Sequence, residues 1–401
     1  MPSPFQPDAR PSPASRRPPI AIRFVAAAAA LALVIAATAA RAQAPVITLP
    51  APEIAARAFL LFDTQSGQIL AGQNIQERVE PASLTKLMTA YLVFGALRDC
   101  KISPEQVVPV SERAWRADGS RMFIEPKKPV NVEELVRGMI IQSGNDACIA
   151  LSEVVAGSED VFVQLMNREA QRLGMKNTSF RNSTGLPDPQ HYSTARDLAT
   201  LASSLIRDFP DQYKYYSMRE FRYNNITQQN RNRLLWLDPT VDGMKTGYTE
   251  NAGYCLIASA RRGQRRMMAV VLGTASDAAR AQEAQKLLNF GFQIYDGVRV
   301  YEKNATVNTL KVWKGSPSDL KAVLANDLVV SVPAGSGDKI KAEFIGQEPL
   351  IAPVSRGQRV GTVKVILDGK SIAEYPVLAQ ENVAVAGFFG RMWDTMRLWF
   401  K

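Results

Sequence analysis

"PASLTKLMTA", Pro81 to Ala90, sets a serine and a lysine three residues apart in an otherwise apolar run. On a helix, positions i and i+3 share a face. A helix beginning near Ala82 puts Ser83 in its first turn with Lys86 beside it. An amine with a lowered pKa can take a serine proton, as histidine does in a Ser-His-Asp triad. Amides at a helix start can bind an oxyanion. The same residues also read as a capping serine and a solvated lysine. The spacing recurs at Ser318/Lys321 and Ser336/Lys339, so it does not decide the matter alone.

Two later stretches decide it. "SGN", Ser143 to Asn145, ends an apolar helical pattern about sixty residues on, and "KTG", Lys245 to Gly247, opens a strand after "VDGM". Neither recurs. Lys245 brings a second cation toward Lys86, and like charges lower an amine pKa and favour a neutral base. Ser143 can pass protons between Lys86 and a leaving amine. Asn145 can hold a substrate amide while pairing with a lysine. Gly247 lets a strand edge approach a substrate backbone, which adds as an extra strand. Separately, SGN reads as a helix cap or turn and KTG as a strand start; the ordered set of three points to chemistry.

That order resembles the penicillin-recognising serine enzymes. "LVRGMIIQSGNDACIALSE", "NRNRLLW", "VDGMKTGYTENAGYCLIASA" and the terminal "FFGRMWD" narrow it. Over nearly the whole chain beyond its first 42 residues, the sequence resembles the low-molecular-mass penicillin-binding proteins of the D-alanyl-D-alanine carboxypeptidase type, peptidase family S11. The resemblance implies Ser83 as acylated nucleophile, Lys86 as general base, and Ser143 and Asn145 as second-motif groups. It implies Lys245, Thr246, Gly247 and Tyr248 as substrate-binding residues, with the amides of Ser83 and Tyr248 as oxyanion hole. Arg280 and Arg231 align with positions the family uses near the substrate, and a guanidinium fork suits a terminal carboxylate. The implied substrate is the peptidoglycan pentapeptide, with β-lactams as covalent inhibitors and no cofactor or metal. Tyr248 departs from relatives that carry histidine after KTG, so a histidine side-chain role there does not carry over. Rival readings are a DD-endopeptidase, a β-lactamase and a non-catalytic wall-binding scaffold. No Glu stands between Gly174 and Arg219, where a class A β-lactamase places its deacylating base.

Periodicity gives the surroundings. "RAFLLFDTQSGQILAGQN" reads as a hairpin, helical patterns dominate from Ala82 to about Arg207, and strands return in "AGYCLIASARRG" and "RRMMAVVLGTA". A further helix spans roughly Asp277 to Phe292. The expected fold class is α/β (α+β): a serine β-lactamase/DD-peptidase-like domain at 43–296, whose antiparallel sheet joins strands from both ends and is flanked by helices. Short strands with turn signals, including Asp368-Gly369, predict a small all-β domain at 297–378.

The two ends read differently. Four arginines precede an apolar run from Phe24 to Ala40, and "ARAQA" follows, which is the pattern of a signal peptide cut after Ala42. A retained membrane helix is the alternative. Residues 382–401 read as an amphipathic anchor. Phe388, Phe389, Met392, Trp393, Met396, Trp399 and Phe400 fall on one helix side, and Arg391, Asp394, Arg397 and Lys401 on the other. Such a segment suits the plane of a membrane surface, here the periplasmic face of the inner membrane. A helix docked on its own domain is the competing reading. The 401-residue chain carries a net charge of +10 without zinc-finger spacing or a dense basic block, which argues against nucleic acid. One histidine, His191, excludes a multi-histidine zinc site. Of three cysteines, Cys148 lies in an apolar helical pattern and reads as a buried free thiol.

Overall fold

The computed structural model describes residues 50–399. The expected signal peptide, Phe400 and Lys401 lie outside the described residues. Strand β1 (Ala58–Asp63) turns through "DTQSG" into β2 (Ile69–Gln73). Five helices dominate the next stretch: α1 (Lys86–Arg98), α2 (Val132–Ile141), α3 (Asn145–Ala156), α4 (Glu159–Arg172) and α5 (Ala195–Asp208). A hairpin, β3 (Glu220–Tyr223) and β4 (Ile226–Gln229), follows where no strand was expected. Then come β5 (Val241–Thr249), β6 (Gly253–Arg262), β7 (Arg265–Thr274) and α6 (Asp277–Ile294).

The sheet order is β2-β1-β7-β6-β5. First and last strands do meet: β1 pairs antiparallel with β7, Leu60 opposite Val270. Alternation along these strands explains how one sheet serves two cores. Leu60, Met268 and Val270 face the helical middle, where Leu87, Phe94, Leu135 and Leu198 pack. Phe59, Leu61, Ala269 and Val271 face the other way, onto Ala284, Leu287 and Leu288 of α6. The strands are therefore apolar on both faces, as a sheet covered on both sides requires. One edge is β5, which carries the KTG motif.

The chain leaves α6 at Ile294 and enters β8 (Tyr295–Tyr301) with no intervening residue. Next come β9 (Thr306–Trp313), β10 (Asp319–Val323), β11 (Leu328–Pro333), β12 (Ile340–Gly346), β13 (Leu350–Ile351), β14 (Arg359–Leu367) and β15 (Lys370–Ala379). β8 pairs with β11, and the other six form a sheet ordered β12-β14-β15-β10-β9-β13. They enclose an aliphatic core that includes Leu320, Val330, Val363 and Val377. The two halves meet at a polar seam. Asp63, fully buried, pairs with Arg265 at 3.3 Å and accepts from the Ser331 hydroxyl at 2.9 Å. Ser66 and Ser331 share a hydroxyl bond of 2.9 Å.

The last helix, α7 (Phe388–Trp399), starts later than the 382 boundary expected for the anchor. Ala384 and Val385 instead pair with Gly315 and Ser316, and Val383 bridges Val354. Asp394 accepts from the Lys314 amide at 2.6 Å, which fastens the polar side of α7 to the β domain. Its aromatic side is bare: Phe389 is 80% exposed and Trp399 88%. No helix among the described residues is long and apolar enough to cross a membrane.

Candidate active site

Ser83 does not sit in an α-helix. Ala82–Thr85 is a turn of 3-10 helix, and α1 begins at Lys86. The tighter turn still brings the pair together: Lys86 Nζ donates to Ser83 Oγ at 2.9 Å. The backbone around the serine is packed without room for side chains. A Cβ on Gly185, whose φ is +86°, would lie 1.8 Å from the Ala82 carbonyl oxygen. A Cβ on Gly247 would lie 3.3 Å from the Ser83 nitrogen. Glycine at both places is what lets the loop after α4 and the edge strand β5 close on the serine.

SGN ends one helix, as its pattern indicated, and the next begins within the motif itself. α2 stops at Ile141, Ser143 takes φ +65°, and α3 restarts at Asn145. The left-handed turn points both motif side chains inward. Ser143 Oγ accepts from Lys245 Nζ at 3.0 Å, and Asn145 Oδ1 accepts from Lys86 Nζ at 2.7 Å. Lys86 also donates to the Thr184 carbonyl at 2.5 Å, and Lys245 to the Thr246 carbonyl at 2.9 Å. The three motifs thus form one network, Ser83–Lys86–Asn145 on one limb and Ser143–Lys245 on the other.

Both lysines are buried, and no carboxylate touches either amine in this network. Burial disfavours an ammonium. It brings Lys86 down to about 8, with Arg231 adding to the lowering. The sequence reading assigned this pressure to Lys245; desolvation is the main cause instead, and the cation that adds to it is Arg231. Burial, reinforced by the charge of Lys86, holds Lys245 well below the ordinary lysine range. Cys148 is free and buried, as the sequence indicated, and desolvation pushes its thiol up to about 12, so it stays protonated and inert.

Ser83 opens on a cleft of about 380 Å³, lined also by Asn145, Arg231, Tyr248 and the 119–123 loop. Tyr248 is 51% exposed and lies against Tyr254, with ring centroids 4.3 Å apart. Thr246 is buried in β5. Arg280 is not at the cleft surface. It is buried behind β5, where Nη1 donates to the Gly247 carbonyl at 3.1 Å and Nη2 pairs with Asp277. Arg231 is exposed at the rim.

Several parts of the site escaped sequence reading. Asp146, directly after SGN, accepts from the amides of Met122, Phe123 and Ile124 at 3.0, 2.8 and 3.2 Å. Asn145 is held to the same loop, donating from Nδ2 to Asp118 O and from its amide to Ser120 O, both at 2.6 Å. His191 is buried, and its Nε2 lies 2.9 Å from the Thr85 hydroxyl, one residue from Lys86. The acidic first-turn position of Asp146 was visible as a helix-start signal; its partners were not.

This geometry can be set beside known proteins. The sequence profile described as D-alanyl-D-alanine carboxypeptidase, peptidase S11, matches residues 43–276. That span covers more than half of the chain. The chain belongs to the S11 D-alanyl-D-alanine carboxypeptidase family. The profile of the penicillin-binding protein 5 C-terminal domain matches residues 295–385. D-alanyl-D-alanine carboxypeptidase DacC of Escherichia coli is 45% identical over 361 residues, 88% of this chain and 90% of that protein. The crystal structure of penicillin-binding protein 5 from Haemophilus influenzae is 39% identical, covers 84% of this chain and 99% of its own, and superposes with a TM-score of 0.81. Penicillin-binding protein D2 of Listeria monocytogenes, solved in its ampicillin-bound form, is 31% identical, covers 61% of this S11 chain and 100% of its own, and gives a TM-score of 0.57.

Proposed function

We propose that this S11 enzyme is a serine carboxypeptidase that removes the terminal D-alanine from peptidoglycan pentapeptides. The observation that carries the reading is the 2.9 Å contact between Ser83 Oγ and a buried Lys86 amine whose pKa is brought near neutrality. Ser83 Oγ attacks the carbonyl carbon of the penultimate D-alanine, and its proton passes to Lys86 Nζ. The amides of Ser83 and Tyr248 hold the oxyanion. Collapse breaks the C–N bond, and the departing D-alanine nitrogen takes a proton relayed through Ser143. Water then releases the acyl group from Ser83. Asn145 holds the substrate amide, and the strand edge at Thr246 and Gly247 lies along its backbone. Lys245 anchors the second limb. Arg231 at the rim supplies positive charge for the terminal carboxylate, and Arg280 adds to it from behind β5, where it holds the Gly247 carbonyl. A β-lactam undergoes the same attack, but its leaving nitrogen stays tethered, so the adduct on Ser83 persists.

The enzyme is exported, with residues 1–42 as its leader, and works at the periplasmic face of the inner membrane. The bare aromatic side of α7 supplies burial in the head-group region, with Arg391 and Arg397 on the same helix able to reach anionic head groups at its margin. Residues 43–296 form the catalytic domain and 297–378 a β domain between catalysis and anchor.

The test is mass spectrometry of a defined pentapeptide after incubation with the enzyme and with Ser83→Ala. Loss of one D-alanine, abolished by the substitution, is expected, together with a penicillin adduct mapped to Ser83. Cleavage of crosslinked dimers only, or an adduct on Ser318 or Ser336, contradicts the reading.

A further inference from the structure

The 119–123 loop forms one wall of the cleft and has no part in the proton-transfer network. It is nevertheless held rigid. Asp146 clamps three consecutive amides, and Gln228 Nε2 on β4 donates to the Arg121 carbonyl at 3.0 Å. The loop presents two side chains. Phe123, with φ +71°, is 40% exposed. The Arg121 guanidinium lies 5.4 Å from its ring centroid, within cation–π range. No ion pair among the described residues engages Arg121. No carboxylate lines the cleft among those residues, while Arg121 and Arg231 both do.

A half-buried guanidinium, stacked on an aromatic ring and lacking an acid, is a preorganised receptor for an anion. Chain direction says which anion. Asn145 holds the amide next to the scissile bond, and it is bonded to Asp118 and Ser120, one to three residues before Arg121. An extended peptide advances about 3.3 Å per residue, so a stem running from Asn145 along this wall brings the residue preceding D-Ala-D-Ala within reach of Arg121.

We propose that Arg121, backed by Phe123, is a specificity subsite for a carboxylate on the side chain of the residue that precedes D-Ala-D-Ala. The ring of Phe123 accepts the methylenes of that side chain, and the guanidinium binds its carboxylate. This rests on the carboxypeptidase reading and extends it from the reacting end to the upstream stem.

Two pentapeptides test it, identical except that this residue ends in a carboxylate in one and a carboxamide in the other. D-alanine release by the intact enzyme gives kcat/KM for each. The enzyme should favour the carboxylate by about tenfold, mainly through KM, with the preference shrinking at high salt. Arg121→Gln should bring the ratio near one, Arg121→Lys should retain part of it, and Arg121→Glu should invert it. Thermal melting of each variant shows that it has folded. Equal rates for both peptides with the wild-type enzyme overturn the subsite alone. A preference that survives Arg121→Gln, or that disappears with Arg231→Gln instead, also overturns it. Release from neither peptide overturns the carboxypeptidase reading and this proposal with it.

Discussion

Lys86 can accept a proton only when it is uncharged. Its three contacts, to Ser83, Asn145 and Thr184, could all be made by an ammonium, which has three hydrogens to donate. A neutral amine has two hydrogens and a lone pair, and the lone pair is what Ser83 needs. With a pKa of about 8, roughly one molecule in ten holds Lys86 neutral at pH 7. The sign follows. Burial opposes the charged form, so the active fraction grows as pH rises and saturates above the pKa. The second-order rate of penicillin acylation should climb nearly tenfold per unit below pH 7 and level off above about pH 8.5. A flat profile between pH 6 and 9 rules out Lys86 as the base. Lys86→Arg should lose acylation, because a guanidinium cannot give up its proton in this range.

At the scale of elements, the site depends on a loop tied to the start of a helix. Asp146 occupies the first turn of α3 and is fully buried, and its oxygens take up amides 22 to 24 residues upstream. Asp146→Asn removes the charge from those bonds and places a donor group among donors. The expected cost is about 2–3 kcal/mol, read as a fall of several degrees in Tm. Penicillin acylation should slow as well, since Asn145 is fixed to the same loop. An unchanged Tm would show that the clamp carries no stability. The helix start also shows why part of the site was legible in the sequence and part was not. Ser83–Lys86, SGN and KTG are side-chain patterns at short spacing, so residue types alone exposed them. The Thr184 carbonyl that receives Lys86 is backbone and has no signature. The Asp146 clamp joins residues far apart in sequence. The helix end at SGN was readable, but the left-handed backbone of Ser143 that turns its side chain inward was not. The antiparallel sheet was readable because its strands are apolar on both faces. The β3–β4 hairpin was missed because its residues are largely exposed and polar.

On the scale of the whole molecule, catalysis and the proposed anchor occupy opposite ends of the chain. Removing Phe388 to Lys401 spares the pairing of Ala384 and Val385 with Gly315 and Ser316, so the β domain keeps its edge. The shortened enzyme should leave membranes in a high-salt wash and still release D-alanine from soluble pentapeptide. Retention on the membrane would place the anchor elsewhere, and lost activity would make α7 part of the fold. The junction between the two halves has a further consequence. α6 runs into β8 without a linker, and Asp63, Arg265 and Ser331 lock the seam beside it. Nothing there serves as a swivel. If α7 lies on a bilayer as proposed, this seam would keep the catalytic half at a set distance from the β domain, and the stems within its reach would occupy a thin layer parallel to the membrane.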